Sequence, residues 1–441
     1  MDPFGQEESL KDDIFPKEKT SSKKNLFLFF FIVLVWIGII IIEIIIVFNS
    51  DEIKNNNETG TDEVAPFEIN CLHEILKDPK ELQLINDKFK NNEIIEIYIN
   101  ETKINDVIKY EINQTGKYYV KMKLNKSNID YIFDGIETLI SVDLASKNNS
   151  SILSMKNSFK NCINLKEVSI KGFNTSNLKD TSHMFDGCSQ LAKIDISELN
   201  TQNVLNMSYM FQGVLELKSL DLSNFNVENV EDISHMFDNC LKLENIKLFK
   251  NLKNVKNLQG VFQNCYSLTS LNLNDFDTRN VYDMTAMFQN CRSLNKLEIN
   301  KFDTSKVESM SQMFQFCVSL TSLSLTNFKT DKVRSMSYMF FQCNNLTNLE
   351  INNFNTENVK DMTLMFYSCE SLKDINLSKF NTHNVKSMYG MFQGCNSLEE
   401  INLNNFDTSE VTTMAFMFRD CKNLKDISIL NFDTKKVESI L

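Results

Sequence analysis

Ten of the eleven cysteines fall at one recurring place: Cys162, Cys188, Cys240, Cys265, Cys291, Cys317, Cys343, Cys369, Cys395 and Cys421. Each follows a phenylalanine by three residues and precedes a leucine by three. Such a row could bind metal or form a disulfide ladder. Zinc needs short paired spacings such as Cys-x-x-Cys with histidine nearby, and the sequence contains none. A ladder needs neighbouring Cα atoms within roughly 4.4–6.8 Å and an oxidising compartment. Val214 and Ile136 occupy the same place in two repeats, so the position behaves as a small apolar core site. A buried row of free thiols is the expectation, and the disulfide ladder is the alternative. His183 and His235 both precede a repeat phenylalanine by two residues and lie two repeats apart. That spacing predicts exposed helix positions rather than a metal pair. The sequence holds no nucleotide-binding loop, nucleophile elbow or carboxylate pair belonging to one site. It is read as no enzyme, with no cofactor and no metal.

A second row of residues varies where the first is constant. In Leu294-x-x-Leu297-x-Ile299 and its copies, one position between apolar residues reads Asn272, Glu298, Ser324, Glu350 and Asn376 through the central repeats. A fixed apolar frame around a changing polar column is what an extended binding face would show. A merely solvated sheet face is the plainer alternative.

The elements that carry both rows follow from one period. Phenylalanine recurs at 159, 185, 211, 237, 262, 288, 314, 340, 366, 392 and 418, every step being 26 residues except the 25 between Phe237 and Phe262. A fixed period of this size means stacked units sharing one continuous core. From Val281, apolar residues fall at Met284, Met287, Phe288 and Cys291, one stripe of a 3.6-residue period. That predicts a helix over 280–291, capped by Thr278 or Asp277. Leu297 and Ile299 alternate with polar residues, as in a strand with one buried face. Residues 300–304 turn the chain into the next unit, with Phe302 filling the coil. Each coil is then one strand and one helix, giving an α/β solenoid with a parallel sheet on one side and helices on the other.

Phe133, Leu139, Val142 and Leu144 continue the pattern backwards, so residues 129–150 read as a degenerate first coil and the count becomes twelve. At about 5 Å per coil the array would be roughly 60 Å long. The short copy should lose its residue in the turn near Phe249 to Asn251. Val437 and Ile440 begin another unit, which leaves an apolar edge after the last full coil.

Met-Phe-x-x-Cys-x-x-Leu-x-x-Leu-x-Leu followed by Phe-Asp/Asn-Thr resembles the BspA-type leucine-rich-repeat surface proteins, found in bacteria, mycoplasmas and unicellular eukaryotes. The resemblance covers about 129–441. It implies a leucine-rich-repeat solenoid and a surface or secreted role, often adhesion or recognition, and it implies no catalytic residues. One departure concerns anchoring. Bacterial lipoprotein members carry a cysteine just after the signal segment, whereas the first cysteine here is Cys71.

Anchoring is expected instead from Leu26 to Phe48, 23 almost wholly apolar residues, long enough to cross a bilayer core. No small-residue cleavage site follows. Lys11, Lys17, Lys19, Lys23 and Lys24 precede it and only Lys54 lies close behind. The positive-inside rule then predicts a single-pass type II protein, in the plasma membrane or another membrane, with its repeats extracellular or lumenal. Glu43 lies near the outer end, within reach of the interface. The expected organisation is a cytoplasmic tail (1–25), a transmembrane signal-anchor helix (26–48), a flexible stalk (49–66), a non-repeat cap or spacer (67–128) and the solenoid (129–441). Within 67–128, a helix-like run over 72–89 is interrupted by Pro79, and 107–113 with 117–124 suggest a hairpin. A net charge of −12 argues against nucleic acid as partner. The expected partners are the membrane and an extracellular protein or glycan. The expected function is adhesion or recognition through the strand face, and a structural surface coat or spacer is the alternative.

Overall fold

The computed structural model describes residues 66–77, 81–89, 94–105 and 108–438. The expected tail, membrane helix and all but the last residue of the stalk lie outside these, as do Pro79, Val107 and Ile440. Among the described residues no helix is long and apolar enough to cross a membrane.

The repeat region is a β-solenoid of about eleven turns. Twelve phenylalanines from Phe133 to Phe418 form one column, buried except at half-buried Phe418, each ring stacked on the next at 5.3–6.0 Å. The count of twelve coils from the sequence exceeds the observed turns by one, because twelve phenylalanine rungs bound eleven turns. Met284, Met287, Cys291 and Leu294 pack around the column and are fully buried, and burial loosens only in the last coil, at Cys421 and Leu424.

The predicted helix does not form; the described residues contain strands and turns only. The reason lies in where the amides point. Met287, Gln289, Cys291 and Leu294 donate to the carbonyl three residues back (3.1–3.3 Å), closing successive β-turns. Met284, Ala286, Phe288 and Asn290 donate instead to Ser309, Ser311, Met313 and Gln315 of the next coil at 3.2, 2.9, 3.0 and 2.7 Å. A helix would satisfy all of these amides internally. Here alternate ones run along the solenoid and tie coil to coil, so the backbone is satisfied by stacking. Ala286 (φ 54°) and Asn290 (φ 59°) are left-handed, which no helix interior tolerates. Both corners of each turn point inward, so apolar residues three apart serve turns as well as helices.

Thr278 therefore caps no helix. Its hydroxyl donates to the Asp303 carbonyl (3.0 Å) and accepts from the Asp303 amide (2.8 Å). Thr304 makes the same two bonds to Lys329 at 2.8 and 2.7 Å. The Phe-Asp/Asn-Thr signature is thus a buried rung between coils.

The expected strands are present but short. In chain order the elements are β1 (Phe67–Ile75), β2 (Glu81–Gln83), β3 (Ile94–Ile99), β4 (Thr102–Ile104), β5 (Lys109–Glu111), β6 (Gly116–Leu124), β7 (Leu139–Ala145), β8 (Glu167–Lys171) and β9 (Lys193–Asp195). They continue as β10 (Ser219–Asp221), β11 (Asn245–Lys247), β12 (Ser270–Asn272), β13 (Lys296–Glu298), β14 (Ser322–Ser324), β15 (Asn348–Glu350), β16 (Glu400–Asn402) and β17 (Asp426–Ser428). Neighbouring coils pair in parallel, as in β12–β13 and β14–β15. The coil around Ile375 forms no strand. In the short copy, β11 keeps its register on β10 and Phe249 still stacks on Phe276 at 5.8 Å. The loss falls in the turn after the strand, where the sequence puts it.

Residues 67–124 correct two further expectations. The helix-like run begins inside β1, whose Ile69, Cys71, His73 and Ile75 alternate inward. The expected hairpin is absent, because β5 pairs with β2 while β6 pairs with β1 and β3. One sheet of order β4-β3-β6-β1-β7-β8-β9 joins this antiparallel end to the first coils. β1 runs antiparallel on β7 with a bulge at Leu72/His73.

Candidate binding surface

The outward column is brought together on the strand wall by the parallel register. Asn272 lies opposite Glu298 and donates from Nδ2 to its Oε2 at 2.7 Å. Lys296 holds the other carboxylate oxygen at 2.9 Å. Ser324 lies opposite Glu350 and donates to its Oε2 at 2.6 Å. Asn272, Glu350 and Asn376 are exposed, whereas Glu298 and Ser324 are half-buried. Asn376 stands in the coil without a strand, where its Oδ1 accepts from the Ser378 amide at 3.1 Å. It borders a shallow depression shared with Asn402, Asn404 and Asn405. Nearer the start of the array the same wall carries ion pairs, Lys171–Asp195 at 2.7 Å and Asp221–Lys247 at 2.8 Å. Hydrogen bonds from Lys247 and Ser223 hold the Asp221 carboxyl below the usual range. Chemically this wall can offer amide, hydroxyl and carboxylate groups at one-coil intervals.

The cysteine row is chemically closed. All ten repeat cysteines are free, and nine of them are fully buried. Each thiol donates to the carbonyl of the repeat phenylalanine one coil back, as Cys291 does to Phe262 at 3.1 Å and Cys162 to Phe133 at 2.9 Å. Burial pushes the Cys291 thiol up strongly, and that of Cys343 to about 12. A thiol held protonated in this way is neither nucleophile nor metal ligand. The weak S–H donor also accounts for cysteine at a site where valine fits by size, a reason that spacing alone did not reveal.

His183 and His235 sit at left-handed turn corners (φ 54° and 52°) rather than on helices. They sandwich Tyr209 at 4.6 and 4.9 Å and pair with Asp186 (2.9 Å) and Asp238 (3.3 Å). Sequence reasoning missed this stacked column. Among the described residues no group of three or more His, Cys, Asp or Glu side chains is placed to hold a metal ion.

No curated protein matches the chain. Three solved structures are similar at low identity. A leucine-rich cell-surface protein from Faecalibacterium prausnitzii A2-165 is 18% identical, with 70% of this chain and 84% of that one covered and a TM-score of 0.36. A leucine-rich-repeat protein from Leptospira interrogans is 15% identical over 64% and 78%, TM-score 0.24. One from Eubacterium ventriosum is 13% identical over 58% and 90%, TM-score 0.26. Superpositions this loose say nothing of function. The family described as "Mycoplasma protein of unknown function, DUF285" matches residues 153–271, 256–375 and 341–441, which together span well over half of the sequence. The matches cover the coils from Phe159 onward, and the chain belongs to that family.

Proposed function

We propose that this chain is a BspA-type leucine-rich-repeat protein, held in a membrane by residues 26–48, that uses its strand wall for adhesion or recognition outside the cell. One observation carries the reading. The inward neighbours Leu271 and Leu273, Leu297 and Ile299, Leu323 and Leu325, Leu349 and Ile351 stay aliphatic, while the outward residue changes from Asn272 to Glu298 to Ser324 to Glu350. Neighbouring coils in such a stack act as one multipoint surface. The role is binding rather than catalysis, with an extracellular protein or glycan as ligand and nucleic acid disfavoured by the acidic balance.

A second reading, a surface coat or spacer, draws on the same column. Asn272 with Glu298, Ser324 with Glu350 and Asp221 with Lys247 satisfy one another, which suits a face that needs no ligand. Screening the full-length chain against extracellular proteins and glycans separates the two: specific binding supports recognition, and none supports the coat. Protease added to intact cells tests the orientation. It should remove the repeats and leave a fragment containing residues 1–48; protected repeats would invert the topology.

A further inference from the structure

The antiparallel end of the large sheet carries a depression that lies apart from the repeat column. On its outer face Tyr98 of β3 stands opposite Lys121 of β6, and Lys121 opposite Asn70 of β1. Tyr119, two residues along β6, faces the same way and is 64% exposed. With Glu101 these side chains border an open cavity of ≈ 450 Å³, within the roughly 300–1,000 Å³ of small-ligand sites. Tyr98 is half-buried, and a large aromatic ring left as exposed as Tyr119 at the side of a cavity marks a surface with something to hold.

Glu101 is the informative member. Asn100 and Glu101 form the two-residue turn between β3 and β4, both with positive φ (46° and 69°). Such a turn favours Asn-Gly, so asparagine suits its place and glutamate is strained in the second. The turn is clamped to Tyr119: the Asn100 amide donates to the Tyr119 carbonyl, and the Tyr119 amide donates to Asn100 Oδ1, both at 2.9 Å. The other acids at the cavity are neutralised, Glu68 by Lys121 and Glu96 by Lys103, each at 2.9 Å. Among the described residues Glu101 has no such partner. Strain retained at a cavity edge, where glycine would relieve it, points to use of the side chain.

We infer that this cavity is a subsite for a neutral saccharide. A pyranose has an apolar C–H face that a tyrosine ring can cover, and hydroxyls that need both acceptors and donors. Tyr119 supplies the ring, the Glu101 carboxylate accepts hydroxyl protons, and the Asn70 amide offers a donor and an acceptor. The free Glu101 carboxylate disfavours acidic sugars, and Lys123 along the same wall disfavours cations. The inference rests on the recognition reading in naming a ligand class, yet it uses none of the repeat-column residues.

The test is an array of neutral hexose, N-acetylhexosamine, deoxyhexose and sialylated oligosaccharides probed with the full-length chain. At least one neutral glycan should be retained and its sialylated form should not. Tyr119→Ala and Glu101→Gly should each weaken retention by about tenfold or more, the loss expected for one stacked ring or one charge-assisted hydrogen bond. Glu101→Gly should at the same time keep or raise the unfolding midpoint, which separates lost binding from lost fold. No neutral glycan retained, or retention that survives both Tyr119→Ala and Glu101→Gly, overturns the subsite. Retention lost only on reversing Glu298 and Glu350 overturns it as well, while leaving recognition by the repeat column standing.

Discussion

The two walls of each coil are built to different rules. The turn wall repeats almost without change. Its alternate amides bond to the next coil, its thiols bond to the previous one, and its phenylalanines form an unbroken stack. In the central coils the strand wall pairs over only three residues per coil and faces outward with side chains that differ from copy to copy. Cohesion along the solenoid is concentrated on one side, which leaves the other free to vary. A wall that must match its neighbours every 26 residues cannot also encode a specific partner.

Substitutions on the two walls should therefore differ in cost. The largest effect is expected from Phe288→Ala, which removes a fully buried ring stacked on Phe262 and Phe314. Loss of about 3–5 kcal/mol is typical of such a cavity, read as a lowered denaturation midpoint. A cost near that of a surface change would mean that the stack is not what holds the coils.

The seam between the antiparallel end and the first coil should respond next, and to pH. His73 is fully buried on β1, with Nδ1 3.0 Å from the Thr138 hydroxyl and Nε2 without a partner among the described residues. Burial lowers its pKa to about 4 from an ordinary 6.5. Between those values the unfolded chain binds the extra proton, so stability falls as pH drops from 6.5 and levels off below 4. The full swing is about 3 kcal/mol by linkage. Denaturation midpoints across this range should flatten in His73→Gln. An unchanged slope in that variant would place the pH dependence elsewhere.

Cys291→Val keeps nearly the same volume and gives up only a weak donor, so its cost should stay within about 1–2 kcal/mol. Mass spectrometry of the non-reduced chain should show no peptides cross-linked between adjacent coils, whereas such peptides would restore the disulfide ladder. A smaller effect of opposite sign is expected at Gln342, left-handed at φ 54°. Gln342→Gly should stabilise by up to about 1 kcal/mol, because glycine adopts that conformation without steric cost. Destabilisation would show that the side chain holds the turn.

The strand wall was readable in the sequence because alternation has only one structural meaning. Leu297 and Ile299 point inward, Glu298 points outward, and the parallel register follows from the period. The turn wall was misread because Met284, Met287, Phe288 and Cys291 fit a helical stripe and a run of turn corners equally well. One signal could have separated them. Two residues after the repeat phenylalanine, the chain carries Gly135, Asn161, Gly187, Gly213, Asn239, Asn264, Asn290 and Gly394, all left-handed. Glycine and asparagine are poor in a helix interior and favoured at positive φ. The four remaining copies, Phe316, Gln342, Ser368 and Asp420, adopt the same conformation. Phenylalanine and glutamine have no such preference, so there the stack dictates what local propensity would not. In the antiparallel end, Ile69, Cys71, His73 and Ile75 alternated in plain view, but the run from Leu72 onward obscured the period. The expected site residues fall on one wall, yet nothing local to Asn376 announces that its coil lacks a strand. Glu101 escaped notice because its strain appears only in the backbone.

Attachment of cells displaying the full-length chain to protein- and glycan-coated surfaces tests most directly whether the variable wall recognises a partner. Glu298→Lys combined with Glu350→Lys changes stability by at most about 1 kcal/mol, since only hydrogen bonds on the strand wall and one partly exposed ion pair are lost. The account predicts attachment weakened by about tenfold or more with an unchanged unfolding transition. Attachment equal to that of the unaltered chain, with the fold intact, would contradict it.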